Sequence, residues 1–307
     1  MGSLAYVFPG QGSQYVGMGK DLFAASAAAR AMMEKADAIL GVPLTRICFE
    51  GPEDELRQTM NTQPAIFLHS VALLSAMPGA RPAMVAGHSL GEYSALVAAG
   101  ALAFEDALRL VRLRGELMQK AGTEQKGTMA AVVGPTPAAI EEICREASAA
   151  GIVQPANFNS PGQIVISGSV DGVRKAMELA KAAGARLVKE LVVSGAFHSP
   201  LMASAREGLK AGLDATEIRD ARVPLYANVS AAPVTKGSEI RDLLCRQLTS
   251  PVRWEQTVQA MVNDGAGTFI EIGPGKVLQG LIKRTAAGVT TAGIDRAADL
   301  THEQEAR

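Results

Sequence analysis

The chain has 307 residues, 48% of them hydrophobic, and a formal net charge of −1. That is enough apolar sequence for one large or two smaller domains, with no basic field to gather nucleic acid or an anionic membrane surface. Aromatics at 4% leave no stacking platform for single strands, and no uninterrupted apolar run of about 18 residues offers a membrane span.

The first element is a short apolar strand, Leu4-Ala5-Tyr6-Val7-Phe8, followed by the small-residue loop Pro9-Gly10-Gln11-Gly12-Ser13-Gln14. The loop is not a dinucleotide fingerprint, because Tyr15 stands where G-x-G-x-x-G needs its third glycine. Residues 21–40 have helical composition. Residues 45–51 are ambiguous, and a helix start follows at Pro52-Glu53-Asp54-Glu55, with acids in the first turn. Residues 61–74 form a further helix with Thr62-Gln63-Pro64 at its start, and His69 sits in its packed pattern.

Gly87-His88-Ser89-Leu90-Gly91 reads G-x-S-x-G, the pattern of a serine nucleophile on a tight strand-to-helix turn. The context fits, with a short apolar run before it and a helix from Glu92 after it. Flanking glycines allow close backbone approach and unusual dihedrals, and free N–H groups at the helix start favour negative charge. The same pattern also suits an ordinary glycine-rich turn.

A helix then runs from Phe104 to about Gln119. Arg112 has Leu108, Arg109, Gly115 and Glu116 at helical neighbour spacings, a mixed and wet face. Arg114 has Leu110, Val111, Leu117 and Met118, an apolar face that points inward. A buried guanidinium needs a partner. Two readings stay open: a structural ion pair with a carboxylate elsewhere, or a clamp for a substrate carboxylate.

From 127 to 194 the order is strand (128–134), helix (137–150), strand (152–157), a turn at Asn159-Ser160-Pro161-Gly162, strand (163–168), helix (170–183) and strand (186–193). This β-α-β-β-α-β order is the ferredoxin-like unit, inserted into a larger α/β domain made of residues 1–126 and 195–307. The insert ends at Ser194-Gly195-Ala196-Phe197-His198-Ser199-Pro200, a junction loop of the kind that forms clefts. Helices are expected at 201–213, 238–249, 254–263 and 276–285, with strands at 223–229 and 268–272. The charged tail after Ile294 is expected to be loose.

A serine hydroxyl is a poor nucleophile until a base takes its proton. The chain has four histidines. His302 is in the tail, His69 is in a helix pattern, and His88 adjoins Ser89 and should point away from its hydroxyl. His198 remains, so Ser89 and His198 form the preferred pair. An imidazole base also needs an acceptor to hold its tautomer, and no aspartate is singled out for this. Three cysteines, Cys48, Cys144 and Cys245, are odd in number and widely spaced, which indicates a reducing compartment. The first residues lack a basic segment and a cleavage site, so a cytoplasmic protein is expected, with a monomer as the default.

Together, Pro9-Gly10-Gln11-Gly12-Ser13-Gln14, Gly87-His88-Ser89-Leu90-Gly91-Glu92, Arg114, Gly195-Ala196-Phe197-His198, and Gln247 with Pro251 resemble the malonyl-CoA:acyl carrier protein transacylases, an acyltransferase family. The likeness runs from Leu4 to about Ile294. It implies an α/β-hydrolase-like core with the ferredoxin-like insert. It also implies malonyl transfer from malonyl-CoA to the phosphopantetheine thiol of acyl carrier protein, in fatty-acid or polyketide synthesis, with no cofactor. Ser89 would accept the acyl group and His198 would be its base. Gln247 would offer a backbone carbonyl to the far nitrogen of His198. The N–H groups of Gln11 and Leu90 would form the oxyanion hole, and Arg114 would bind the malonyl carboxylate. Phe197 would crowd an α-methyl branch, with Met118 beside it in the substrate pocket.

Two rival readings share part of this pattern. A serine esterase or thioesterase shares the turn and the histidine, but needs no inward guanidinium. A non-catalytic carrier-binding module would need neither Ser89 nor His198. Lys276, Lys283 and Arg284 are candidates for meeting an acidic carrier protein, against the alternative of a solvated helix face.

Overall fold

The computed structural model describes residues 2–77 and 81–300. Among these residues the ten strands, in chain order, are β1 (Ser3–Phe8), β2 (Met84–Gly87), β3 (Gly127–Val133), β4 (Val153–Ser160), β5 (Gln163–Ser169), β6 (Leu187–Glu190), β7 (Leu225–Tyr226), β8 (Pro233–Val234), β9 (Ala266–Ile272) and β10 (Thr290–Ile294). They make two sheets, a six-stranded one in the order β10-β9-β1-β2-β7-β8 and a four-stranded one in the order β4-β5-β3-β6. The large sheet is parallel from β10 through β7, and only β8 joins it antiparallel.

β1 is apolar from Leu4 to Phe8 and buried from Ala5 onward because both faces of the large sheet are covered. Tyr6 and Phe8 enter one core with the helices Thr59–Ala76 and Phe104–Glu124, whereas Ala5 and Val7 point the other way, among Trp254, Val258 and Leu281. The four-stranded sheet is antiparallel throughout. One of its faces buries Ala130, Val132 and Ile166 under the helices Pro137–Ala147 and Val170–Ala182. From the other, Met129, Ala156 and Val165 join the core of the large sheet.

Several element bounds differ from the sequence expectation, each for a local reason. The helix expected over 21–40 is two helices, Lys20–Ala25 and Ala27–Leu40, because the Ser26 side chain accepts from Ala29 N and starts the second. The ambiguous stretch is the helix Leu44–Glu50, stopped by Gly51. Pro64 lies inside the helix Thr59–Ala76 rather than at its start. Proline lacks the N–H that would bond the carbonyl four residues back, and Arg112 Nη1 donates to that Met60 carbonyl at 3.0 Å instead.

The helix from Phe104 reaches Glu124, and the one from Pro137 ends at Ala147. The strand expected over 186–193 stops at Glu190. Leu191 N still reaches Met129 O at 2.9 Å, after which the chain leaves the sheet and Val192 is 97% exposed. The strand expected over 223–229 is only Leu225–Tyr226, which leaves Asn228 outside the ladder. The tail is not loose over residues 295–300. Asp295 accepts from Tyr15 and from Gly275 N, and Ala297 N donates to Asp21. His302 lies outside the described residues.

Candidate active site

β2 ends at Gly87, Ser89 follows with φ 52°, and the helix Gly91–Ala98 begins two residues later. The two glycines are required by distance. A Cβ on Gly87 would sit 1.9 Å from the Gly91 carbonyl carbon, and one on Gly91 would sit 2.1 Å from Phe8 O. Asn228 braces the turn: its Oδ1 accepts from Ser89 N at 2.7 Å and its Nδ2 donates to Gly87 O at 2.7 Å. His198 is the second non-glycine residue at this site with a left-handed backbone, φ 58°. Gln154 Nε2 donates to its carbonyl at 2.8 Å. Such conformations persist only where surroundings hold them, and they gather at functional sites.

Ser89 Oγ lies 2.8 Å from His198 Nε2. On the other side of the ring, His198 Nδ1 faces two carbonyl oxygens, Gln247 at 2.9 Å and Ser250 at 3.2 Å. Two acceptors there require the proton on Nδ1, which leaves Nε2 as the acceptor for the serine hydroxyl. Burial, and then the Arg114 charge, hold the imidazole down to about 3, against the pull of the two carbonyls. His198 is therefore a neutral base in the resting site.

A lowered value keeps the proton-accepting form present to lower pH, and activity is lost only as pH falls toward it. Between about pH 7 and about pH 5, single-turnover acylation should thus stay nearly flat. Quench-flow rates would check this, and an acid limb near the ordinary histidine value of 6.5 would contradict it.

Arg114 is 1% exposed, and none of its partners is a carboxylate. Its Nη1 donates to Gln63 Oε1 at 2.6 Å, and its Nη2 donates to Gln247 Oε1 at 2.9 Å and to Ser89 Oγ at 3.0 Å. Its Nε is buried without a partner among the described residues. The guanidinium carbon stands 5.8 Å from the Tyr93 ring centre. The structural ion pair open from the sequence is absent among the described residues, so the positive charge is held by neutral amides, a hydroxyl and a ring. Arg112 is on the wetter face, paired with Glu116 at 2.6 Å.

A cavity of about 130 Å³ opens onto Ser89, lined among others by Gln11, Leu90, Arg114, Met118, Phe197 and His198. The N–H groups of Gln11 and Leu90 donate to no protein acceptor among the described residues. The structure thus brings Ser89, His198, Arg114, Gln11, Leu90, Met118 and Phe197 around one space, with Gln247 behind the imidazole. Of the other histidines, His88 turns to Asn159 Oδ1 at 2.9 Å, and His69 is buried against Asp295. Arg284 bonds Ser160 and Gln163, tying its helix to the small sheet.

The family described as acyl transferase domain matches residues 5–301. The chain belongs to the acyl transferase family. The malonyl CoA-acyl carrier protein transacylase of Bacillus subtilis is 48% identical over 297 residues, covering 96% of this chain and 94% of that protein. The crystal structure of acyl-carrier-protein S-malonyltransferase from Bartonella henselae superposes with a TM-score of 0.96 at 41% identity, covering 100% and 99% of the two chains. A malonyl-transacylase in complex with a type II PKS acyl-carrier protein superposes with a TM-score of 0.96 at 42% identity, covering 99% and 100%.

Sequence reasoning assigned no role to several residues of this acyl transferase site. Gln63 and Asn228 hold Arg114 and the serine turn. Ser250 is a second carbonyl on His198. Glu92 is 1% exposed and accepts from Asn228 N and from Gln247 Nε2. Burial pushes its carboxyl upward, while those two bonds and the Arg114 charge pull the other way. Its position next to the second glycine of G-x-S-x-G was the one available signal.

Proposed function

We propose that this acyl transferase moves the malonyl group from malonyl-CoA to the phosphopantetheine thiol of acyl carrier protein through a malonyl-Ser89 intermediate. One observation carries the reading. A buried guanidinium with no carboxylate partner among the described residues stands 3.0 Å from the serine hydroxyl, where the free carboxylate of a short diacid would end. A plain esterase or thioesterase has no use for that charge.

The chemistry follows from the geometry. The Ser89 hydroxyl attacks the thioester carbonyl as His198 Nε2 takes its proton. The oxyanion is stabilised by the N–H groups of Gln11 and Leu90, each worth about 3 kcal/mol in sites of this kind. The intermediate collapses, the C–S bond breaks, and His198 returns the proton to the departing CoA thiolate. The carrier thiol then repeats the sequence against the acyl-serine in a ping-pong cycle. The chain itself supplies nucleophile, base, oxyanion donors and carboxylate clamp, so we infer that the transfer uses no cofactor. Phe197 and Met118 line the acyl cavity, and Phe197 is assigned to crowd an α-methyl branch.

The larger part, residues 1–126 and 195–307, is read as an α/β-hydrolase-like core and residues 127–194 as a ferredoxin-like insert. The parallel large sheet and the antiparallel β4-β5-β3-β6 order support both. No helix among the described residues is long and apolar enough to cross a membrane. We infer a cytoplasmic monomer serving fatty-acid or polyketide synthesis.

The test is a competition between malonyl-, methylmalonyl- and acetyl-CoA, read as the mass of the Ser89 adduct. The malonyl adduct should dominate. A dominant acetyl adduct, or release of free malonate as fast without an acceptor thiol as with one, would overturn the reading.

A further inference from the structure

Glu92 lies beneath the serine turn, 1% exposed, with no cation in ion-pair distance among the described residues. A carboxyl group in such a place is unfavourable unless its oxygens are satisfied. Both are. Oε1 accepts from the backbone N–H of Asn228, and Oε2 from Nε2 of Gln247.

Each donor roots a chain that ends on Ser89. Through Asn228, the side-chain amide reaches Ser89 N and Gly87 O, both at 2.7 Å. Through Gln247, Nε2 also reaches Ser89 O at 2.9 Å, and Oε1 accepts from Arg114 Nη2 at 2.9 Å. That same Arg114 nitrogen is the one 3.0 Å from Ser89 Oγ.

A primary amide has two ends of opposite character and can be turned end for end. Oε1 of Glu92 is taken by a backbone N–H that cannot turn away, and Oε2 accepts from Gln247 Nε2, so the NH₂ end of Gln247 lies on the Glu92 side and its oxygen faces Arg114. Reversed, the amide would set an NH₂ against a guanidinium. We propose that Glu92 is a positioning residue that fixes the sense of the Gln247 amide and thereby holds Arg114 in register for the acyl carboxylate. It touches no reacting atom and acts through Gln247. The inference rests on the malonyl reading above and adds the device that keeps its clamp aligned.

Glu92→Gln has the same shape but offers one acceptor oxygen to two donors. If that oxygen keeps the Asn228 N–H, the new NH₂ faces Gln247 and drives its amide to turn. The expected result is a fall in kcat/KM for malonyl-CoA of about 10–100-fold, carried mainly by KM. Acetyl-CoA, which has no carboxylate for Arg114, should change less than about threefold. Glu92→Asp falls one methylene short of Gln247 and should lower the malonyl-to-acetyl ratio in the same direction. It decides alone should the Gln variant not fold.

Equal losses for both donors, or an unchanged ratio in the variants that fold, would overturn the proposal and leave Glu92 a structural residue. A wild-type protein that takes acetyl-CoA as readily as malonyl-CoA would overturn the malonyl reading itself, and this inference with it.

Discussion

Ser89→Ala should abolish the acyl-enzyme and lower transfer by at least about 10⁴-fold, the scale seen when the nucleophile of a catalytic unit is removed. The hydroxyl is the meeting point of two side chains, His198 Nε2 at 2.8 Å and Arg114 Nη2 at 3.0 Å. Among the described residues no other hydroxyl lines the same cavity, so nothing there stands in for it. Alanine at φ 52° meets about the same backbone penalty as serine, so the fold should persist and malonyl-CoA should still dock at Arg114. Intact mass spectrometry after mixing with malonyl-CoA checks the first point and a thermal melt the second. Transfer by a folded variant above about one per cent of wild type would remove Ser89 from the chemistry.

Arg114→Ala is expected to reverse donor preference rather than to stop transfer. Charge-assisted bonds to a buried carboxylate are worth roughly twice neutral ones, and a carboxylate left without them in a dry site carries its desolvation penalty as well. The fall in kcat/KM for malonyl-CoA should be about 10²–10³-fold. Acetyl-CoA should lose far less and become the preferred donor, because Ser89, His198 and the oxyanion donors remain. Steady-state kinetics with both donors settles it. A variant that kept malonyl transfer and lost acetyl transfer would contradict the assignment.

The closeness of Ser89 and His198 was legible in the sequence because the chemistry needs a base and His88, His69 and His302 each had a reason to be elsewhere. The inward face of Arg114 was legible from the residues three and four places away. The order of elements in the small sheet was legible because Pro161-Gly162 and Gly184 punctuate it. The underlay of the site was not. Glu92 in a first helical turn reads as an ordinary helix-start acid, yet its partners Asn228 and Gln247 are 136 and 155 positions away. Asn228 follows a strand of only two residues, too short to leave a periodic signal. Gln63 is one of several polar residues in the first turns of its helix and shows its purpose only when Arg114 arrives 2.6 Å from it. Contacts this distant in sequence are set by tertiary packing, which residue patterns do not record.

The imidazole of His198 is steadied by the oxygens of Gln247 and Ser250, which are uncharged. In serine hydrolases with an acid at that place, a full anion supports the imidazolium once it forms. Here the tautomer is secured but the cation gains only dipoles, and Arg114 opposes it. Such a base is feeble. A thiol gives up its proton at about 8.5 and needs less help from such a base than an alcohol or water does, and the Ser89 hydroxyl offsets its weaker acidity by being held 2.8 Å from Nε2. The ester on Ser89 is thereby expected to pass to a sulfur nucleophile faster than to solvent. Fitting a carboxylate behind His198 should raise hydrolysis of that ester relative to its transfer.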